Sequence, residues 1–137
     1  MIGISSKTIY GVAALNELSQ VQGDDVLKIK DISANANIPQ NFLEQILLEL
    51  KKQGILTSIK GAYGGYKLAK DLKDVSLKDV MLILETDMFS DICKTDNPAL
   101  KLFWKDLKGN VSSAFDIPLS TLKNYQLKVT QTLDYSI

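Results

Sequence analysis

The chain contains no histidine and no arginine, and all 16 of its basic residues are lysine. Without histidine it lacks the commonest general base and the commonest nitrogen ligand for a metal. Without arginine it lacks the planar fork that matches a guanine edge or a narrow minor groove. A single cysteine, Cys93, excludes an internal disulfide framework and suits a reducing compartment. No apolar run approaches membrane-spanning length, and the opening "MIGISSKTIYGVAAL" has neither the charge pattern nor the cleavage site of a secretory leader. These absences lead to the expectation of a cytoplasmic protein with no membrane partner. Acids and bases balance at 16 each, so net charge supplies no general attraction for a polyanion.

What remains is an ordinary globular composition. Apolar residues make up 45% and charged residues 23% of 137 positions, enough for one real core in one domain or in a small module with a helical arm. The charge is slightly uneven. Residues 1–70 carry eight Lys against six acids, and residues 71–137 carry eight against ten, so the N-terminal half is the better anion-facing side.

Ser5 or Ser6 is a fair N-cap for a first helix reaching about Gln20, with Ile9, Val12, Ala13, Leu15 and Leu18 at helical spacing. Gly23-Asp24-Asp25 breaks it, Val26–Ile29 is short and β-prone, and "KDISANA" reads as a short helix. After the turn "NIPQ" comes a strong helix, "QNFLEQILLELKKQG", whose predicted buried stripe is Phe42, Leu43, Ile46, Leu47 and Leu50. Lys51 and Lys52 complement its C-terminal dipole and Gly54 stops it. "ILTSI" and "GYKLA" flank a glycine-rich tip and predict a hairpin. A short helix capped by Ser76 follows, then an irregular polar stretch.

Asn97 and Pro98 open a long helix in which Leu100, Trp104, Leu107, Val111 and Ala114 recur at 4-3-4-3 spacing, with Phe103 and Phe115 beside them. That is a seam for another helix. Gly109-Asn110 weakens the helix locally, by roughly 1 kcal/mol for the glycine. "IPLSTLKNYQL" predicts a final short helix, with the last ten residues frayed. Two short helices joined by a tight turn and followed by a hairpin make a winged helix-turn-helix, whose second helix enters the DNA major groove. The expected fold is therefore mainly α with a small β-hairpin wing, a winged helix-turn-helix plus a long C-terminal dimerisation helix.

The stretch "KGAYGGYKLAK" is not a phosphate-cradling loop, because no Lys-Ser or Lys-Thr follows and a strand rather than a helix comes next. It is either a plain hairpin turn or a wing lying along a phosphate backbone, with Lys60 and Lys67 at its sides and Tyr63 at its apex. Gln40, Asn41, Glu44 and Gln45 lie opposite the apolar stripe of the preceding helix. Amides there can bind adenine bidentately and a carboxylate can accept from cytosine N4, although the same residues also suit a plain solvated surface. Cys93 is a small hydrophobe, an incidental thiol, or a redox or ligand sensor in the loop before the long helix. No nucleophile–base pair or cofactor loop supports an enzyme.

The segments "SSKTIYGVAAL", "KIKDISANANIPQNFLEQILLELKKQGILTSIKGAYGGYKLAK", "VSLKDVMLILE" and "LFWKDL" together resemble the IscR/NsrR/CymR family (Rrf-type) of bacterial winged-helix transcription factors. The likeness runs from about Ile4 to Leu127, and "FLEQIL" and the "KG..GGY.L" wing are its most specific parts. It implies a homodimeric, sequence-specific DNA-binding regulator that represses by occupying a palindromic operator in double-stranded DNA. Its domains would be 1–84 for DNA binding, 85–97 as a sensor or linker loop, and 98–137 as dimerisation helix and tail. DNA contacts carried over by resemblance fall on Pro39, Gln40, Asn41, Glu44 and Gln45 in the recognition helix. Others fall on Lys60, Gly61, Tyr63, Gly64 and Gly65 in the wing, and on Ser5, Ser6, Lys7 and Tyr10 at the first helix. The dimer interface would comprise Leu100, Phe103, Trp104, Leu107, Val111, Ala114 and Phe115.

Many family members bind an iron–sulfur cluster through three cysteines in the sensor region. Here Glu85 to Trp104 contains only Cys93 and no histidine. The expectation is a cluster-free member with no cofactor and no metal site, responding to a redox or thiol change or to a regulatory protein partner. The alternatives are a cluster-dependent regulator of the same family and a winged-helix protein-interaction module that does not bind DNA. Lys60 stands where many relatives place arginine, which shifts the expected sequence preference toward the recognition helix.

Overall fold

The structure is a computed structural model that describes residues 3–87 and 94–136. Three helices form its centre: α1 (Ser6–Ser19), α2 (Ile29–Ala36) and α3 (Gln40–Lys52). Apolar residues spaced three and four apart place Ala14, Leu15 and Leu18 of α1 against Ile32 of α2 and Leu43, Ile46, Leu47 and Leu50 of α3, all buried. Each such Leu or Ile contributes about 1.5–3 kcal/mol relative to exposure. Between α2 and α3 the chain turns through Asn37, at φ 54 and ψ 50, a left-handed conformation that asparagine tolerates. Ile38 is buried in the turn and Pro39 caps the start of α3.

Gly54, at φ +77, ends α3 and sends the chain into β1 (Leu56–Ile59), which pairs antiparallel with β2 (Gly65–Leu68). Leu56 faces Leu68 and Ile59 faces Gly65 across the ladder. The β-prone segment expected at Val26–Ile29 contributes one bridge only, because Ile29 already begins α2. Leu27 donates its N–H to Tyr66 O at 2.9 Å and accepts from Tyr66 N–H at 2.7 Å, which ties the wing to the helix-turn-helix.

After β2, α4 (Leu77–Leu84) closes the core with Val80, Met81 and Leu84. Ser76 and Asp79 form a capping box at its start, each side chain accepting from the other's backbone N–H. Asn97 Oδ1 accepts from Ala99 and Leu100 N–H at the start of α5 (Pro98–Ala114), and this helix continues through Gly109-Asn110 without a break. The chain then returns to the module. Leu77 N–H donates to Ile117 O at 2.8 Å, Lys78 N–H to Phe115 O at 2.9 Å and Leu119 N–H to Val75 O at 2.8 Å, with Leu119 buried. The final helix, α6 (Leu122–Ser136), has 15 residues and is not the short helix with a frayed end expected from sequence. Good helix formers such as Leu, Lys and Gln recur along it, and Lys128 sits over the Tyr125 ring at 4.7 Å.

Candidate nucleic-acid interface

Burial of one face of α3 leaves Gln40, Asn41, Glu44 and Gln45 exposed on the remainder of its first two turns. Pro39, also exposed, sets the entry angle of the helix. Helix N-terminal turns that emerge from a tight interhelix turn are the part of this motif able to reach base edges. Amide and carboxylate groups are the types that read adenine and cytosine there.

Phe42, expected in the buried stripe, is 54% exposed. The correction has a geometric cause: Phe42 is one residue before Leu43, which rotates it about 100° off the buried line. Its ring rests instead against Tyr10 of α1, with centroids 6.4 Å apart and planes tilted by 50°. Tyr10 is itself partly buried against the core.

The wing presents Lys60, Gly61 and Tyr63 to solvent, and Tyr63 is 94% exposed. Gly61 sits at φ +111, where a side chain would be strained. Gly64 and Gly65, expected among the DNA contacts, are glycine for a reason internal to the wing. Gly64 is buried and donates its N–H to Gly61 O at 3.0 Å, and a Cβ there would lie 2.0 Å from Ile59 O. A Cβ on Gly65 would lie 2.5 Å from Leu27 O. These two glycines let the chain approach its own backbone and so close the turn. Lys67 is held by Asp24 at 3.3 Å, whereas Lys60 is exposed and makes no ion pair among the described residues.

The N-terminus of α1, with Ser5 at its N-cap, is tied to the end of α4. Glu85, the residue following α4, points one carboxylate oxygen, Oε1, at three donors: Ser5 N–H at 2.8 Å, Ser5 Oγ at 2.7 Å and Thr8 Oγ1 at 2.7 Å. Burial pushes this carboxyl upward, but the Ser5 N–H, the two hydroxyls and the nearby Lys7 charge outweigh it and hold it below the usual carboxylate range. Lys7 is paired with Glu49 of α3 at 2.7 Å. Ser5 and Lys7, expected to face the DNA backbone, each also make a contact inside the molecule; one Lys7 donor is engaged by Glu49, and both Ser5 and Ser6 are exposed. Glu85 and Ser5 are 80 residues apart, so no local signal pairs them.

No residue of α5 is buried. Leu100, Phe103, Trp104, Leu107 and Val111 are all exposed large hydrophobics, and Phe103 meets Trp104 edge-on with centroids 5.0 Å apart. Ala114 is exposed and Phe115 partly buried. Tyr125, Val129 and Leu133 form a second exposed stripe on α6, which extends beyond the short helix that its sequence predicts. Uncovered apolar faces of this extent mark interaction surfaces. Cys93, the expected sensor, lies outside the described residues. Among the described residues no helix is long and apolar enough to cross a membrane.

Known proteins are similar to this chain in sequence and in fold. A family model described as "Rrf2: Iron-dependent Transcriptional regulator" matches residues 4–128. The HTH-type transcriptional regulator CymR of Bacillus subtilis is 29% identical over 114 residues, which cover 82% of this chain and 83% of that protein. The HTH-type transcriptional regulator IscR of Yersinia pestis is 29% identical over 131 residues, 90% of this chain and 80% of that one. Among solved structures, CymR (YrzC), the global cysteine regulator of B. subtilis, matches with a TM-score of 0.77 and 29% identity over 91% of this chain and 98% of that one. IscR of T. potens matches with a TM-score of 0.73 and 31% identity, over 90% and 88% of the two chains.

Proposed function

The chain belongs to the Rrf2 family of transcriptional regulators, and on that premise we propose that it works as a homodimer whose two winged helices read a palindromic operator. It is a DNA-binding transcriptional regulator with a winged-helix fold. The observation that carries the finer reading is the exposed Gln40, Asn41, Glu44 and Gln45 face of α3, set on the same module as a wing tip with Tyr63 fully in solvent. Gln40, Asn41, Glu44 and Gln45 supply base contacts, and Lys60 and Tyr63 supply backbone contacts. Ser6 and Tyr10 complete the footprint at α1. Pairing buries the exposed stripes of α5 and α6 against a second copy. Residues 1–84 then read DNA, 85–97 connect, and 98–137 pair the two chains, with 115–119 packed back on the DNA-reading module and Glu85 holding α1.

Repression follows from occupation of a promoter in the cytoplasm, without any catalytic step. The family description names iron, and the donor set does not fit a cluster: each chain offers one thiol, Cys93, and no imidazole, where cluster ligation takes about four such ligands. Control by the Cys93 thiol or by a protein partner is the reading that suits this donor set. The visible spectrum of anaerobically purified protein tests it. A featureless spectrum is expected, and absorbance that bleaches in air would reverse the assignment.

Selection of bound fragments from a genomic library tests the function itself. One recurrent palindrome is the expected outcome. Failure to retain any fragment would favour a winged helix used only for protein contacts.

A further inference from the structure

We propose that Phe42 is a specificity-determining residue that reads the 5-methyl group of a thymine in the major groove. This rests on the DNA-reading role of α3. An aromatic ring 54% exposed on the first turn of the recognition helix lies outside the core and on the surface that meets the groove. It lies beside Asn41 in sequence and three residues before Gln45, both exposed, so it shares the surface that those amides present. Tyr10 backs the ring at 6.4 Å and fixes its orientation from the α1 side.

The groove edge offers one strongly apolar feature, the thymine methyl, and apolar side chains pair with it. The exposed stripes of α5 and α6 are separate from Phe42 in the chain. A ring backed by Tyr10 and standing beside the exposed amides on the first turn of the recognition helix is placed to meet a base edge. The set then divides its labour: Gln40, Asn41 and Gln45 read hydrogen-bonding groups, and Phe42 distinguishes thymine from cytosine at a neighbouring step.

The test uses the full-length protein and the selected operator, with each thymine of one half-site replaced in turn by deoxyuridine, which removes only the methyl. Wild-type affinity should fall about fourfold at one position, the worth of one buried methyl. Phe42→Ala should bind the thymine and deoxyuridine duplexes equally at that position, and Phe42→Leu should restore part of the difference. If no deoxyuridine position weakens the wild type, or if Phe42→Ala keeps the wild-type ratio, the inference is overturned while DNA reading stands. Absence of specific DNA binding by the wild type would overturn both.

Discussion

Replacing Glu85 with alanine removes the acceptor shared by Ser5 N–H, Ser5 Oγ and Thr8 Oγ1. Thr8 is buried in the intact protein, and its hydroxyl loses the partner it has there. A charge-assisted bond at such a site contributes about 1.5–3 kcal/mol. The two Ser5 bonds are exposed and screened, and together add only about 0.5–1 kcal/mol. The loss should therefore be about 2–4 kcal/mol, seen as a lower urea midpoint with an unchanged slope at fixed protein concentration.

The sign of the pH dependence follows from the depressed folded-state pKa of Glu85. Its contribution is complete above the unfolded carboxyl value of about 4.3 and is lost as pH falls through the lower folded value. The gap between wild type and Glu85→Ala should thus be constant from neutrality to about pH 5 and shrink below about pH 4. Glu85→Gln keeps an acceptor oxygen but no charge, so its stability should lie between the two. A loss under about 0.5 kcal/mol at pH 7, or a gap that stays flat to about pH 3, would refute the assignment of Glu85 as the latch between α4 and α1.

Three further outcomes are expected. Lys60→Ala should weaken binding to specific and scrambled duplexes alike and reduce the slope of log K against log salt by about one per wing, measured by fluorescence anisotropy. Gln45→Ala should cost about 1–3 kcal/mol on the selected operator and relax discrimination at one base pair; equal losses on scrambled DNA would exclude a base contact. Leu107→Asp, placed on the exposed α5 stripe, should shift the protein from dimer to monomer in sedimentation while leaving the helical circular dichroism unchanged, and a dimer that survives it would move the interface elsewhere.

The parts of the fold legible in the sequence are those set by local periodicity. Leu43, Ile46, Leu47 and Leu50 recur at helical spacing, and their burial leaves the opposite amides exposed without any knowledge of tertiary structure. The turn at Gly61 and the caps at Ser76 and Asn97 are similarly local. An aromatic residue beside a buried stripe looks like part of it, and only the packing of α1 shows that Phe42 faces Tyr10. Gly64 and Gly65 announce close approach, but sequence does not say to what. The answer here is Ile59 O and Leu27 O, within the protein. The Glu85 contacts with Ser5 and Thr8 join the two ends of the module and are visible only in three dimensions. The modest polarity contrast of α6 hides both its length and its apolar stripe from the sequence.

Hydroxyl-radical footprinting of the full-length protein on the selected operator tests the central claim most directly. Two symmetric sets of protected sugars, with centres one helical turn or a multiple of it apart, are predicted for paired winged helices reading a palindrome. A single unsymmetrical patch, or no protection at concentrations that saturate binding, would contradict the account.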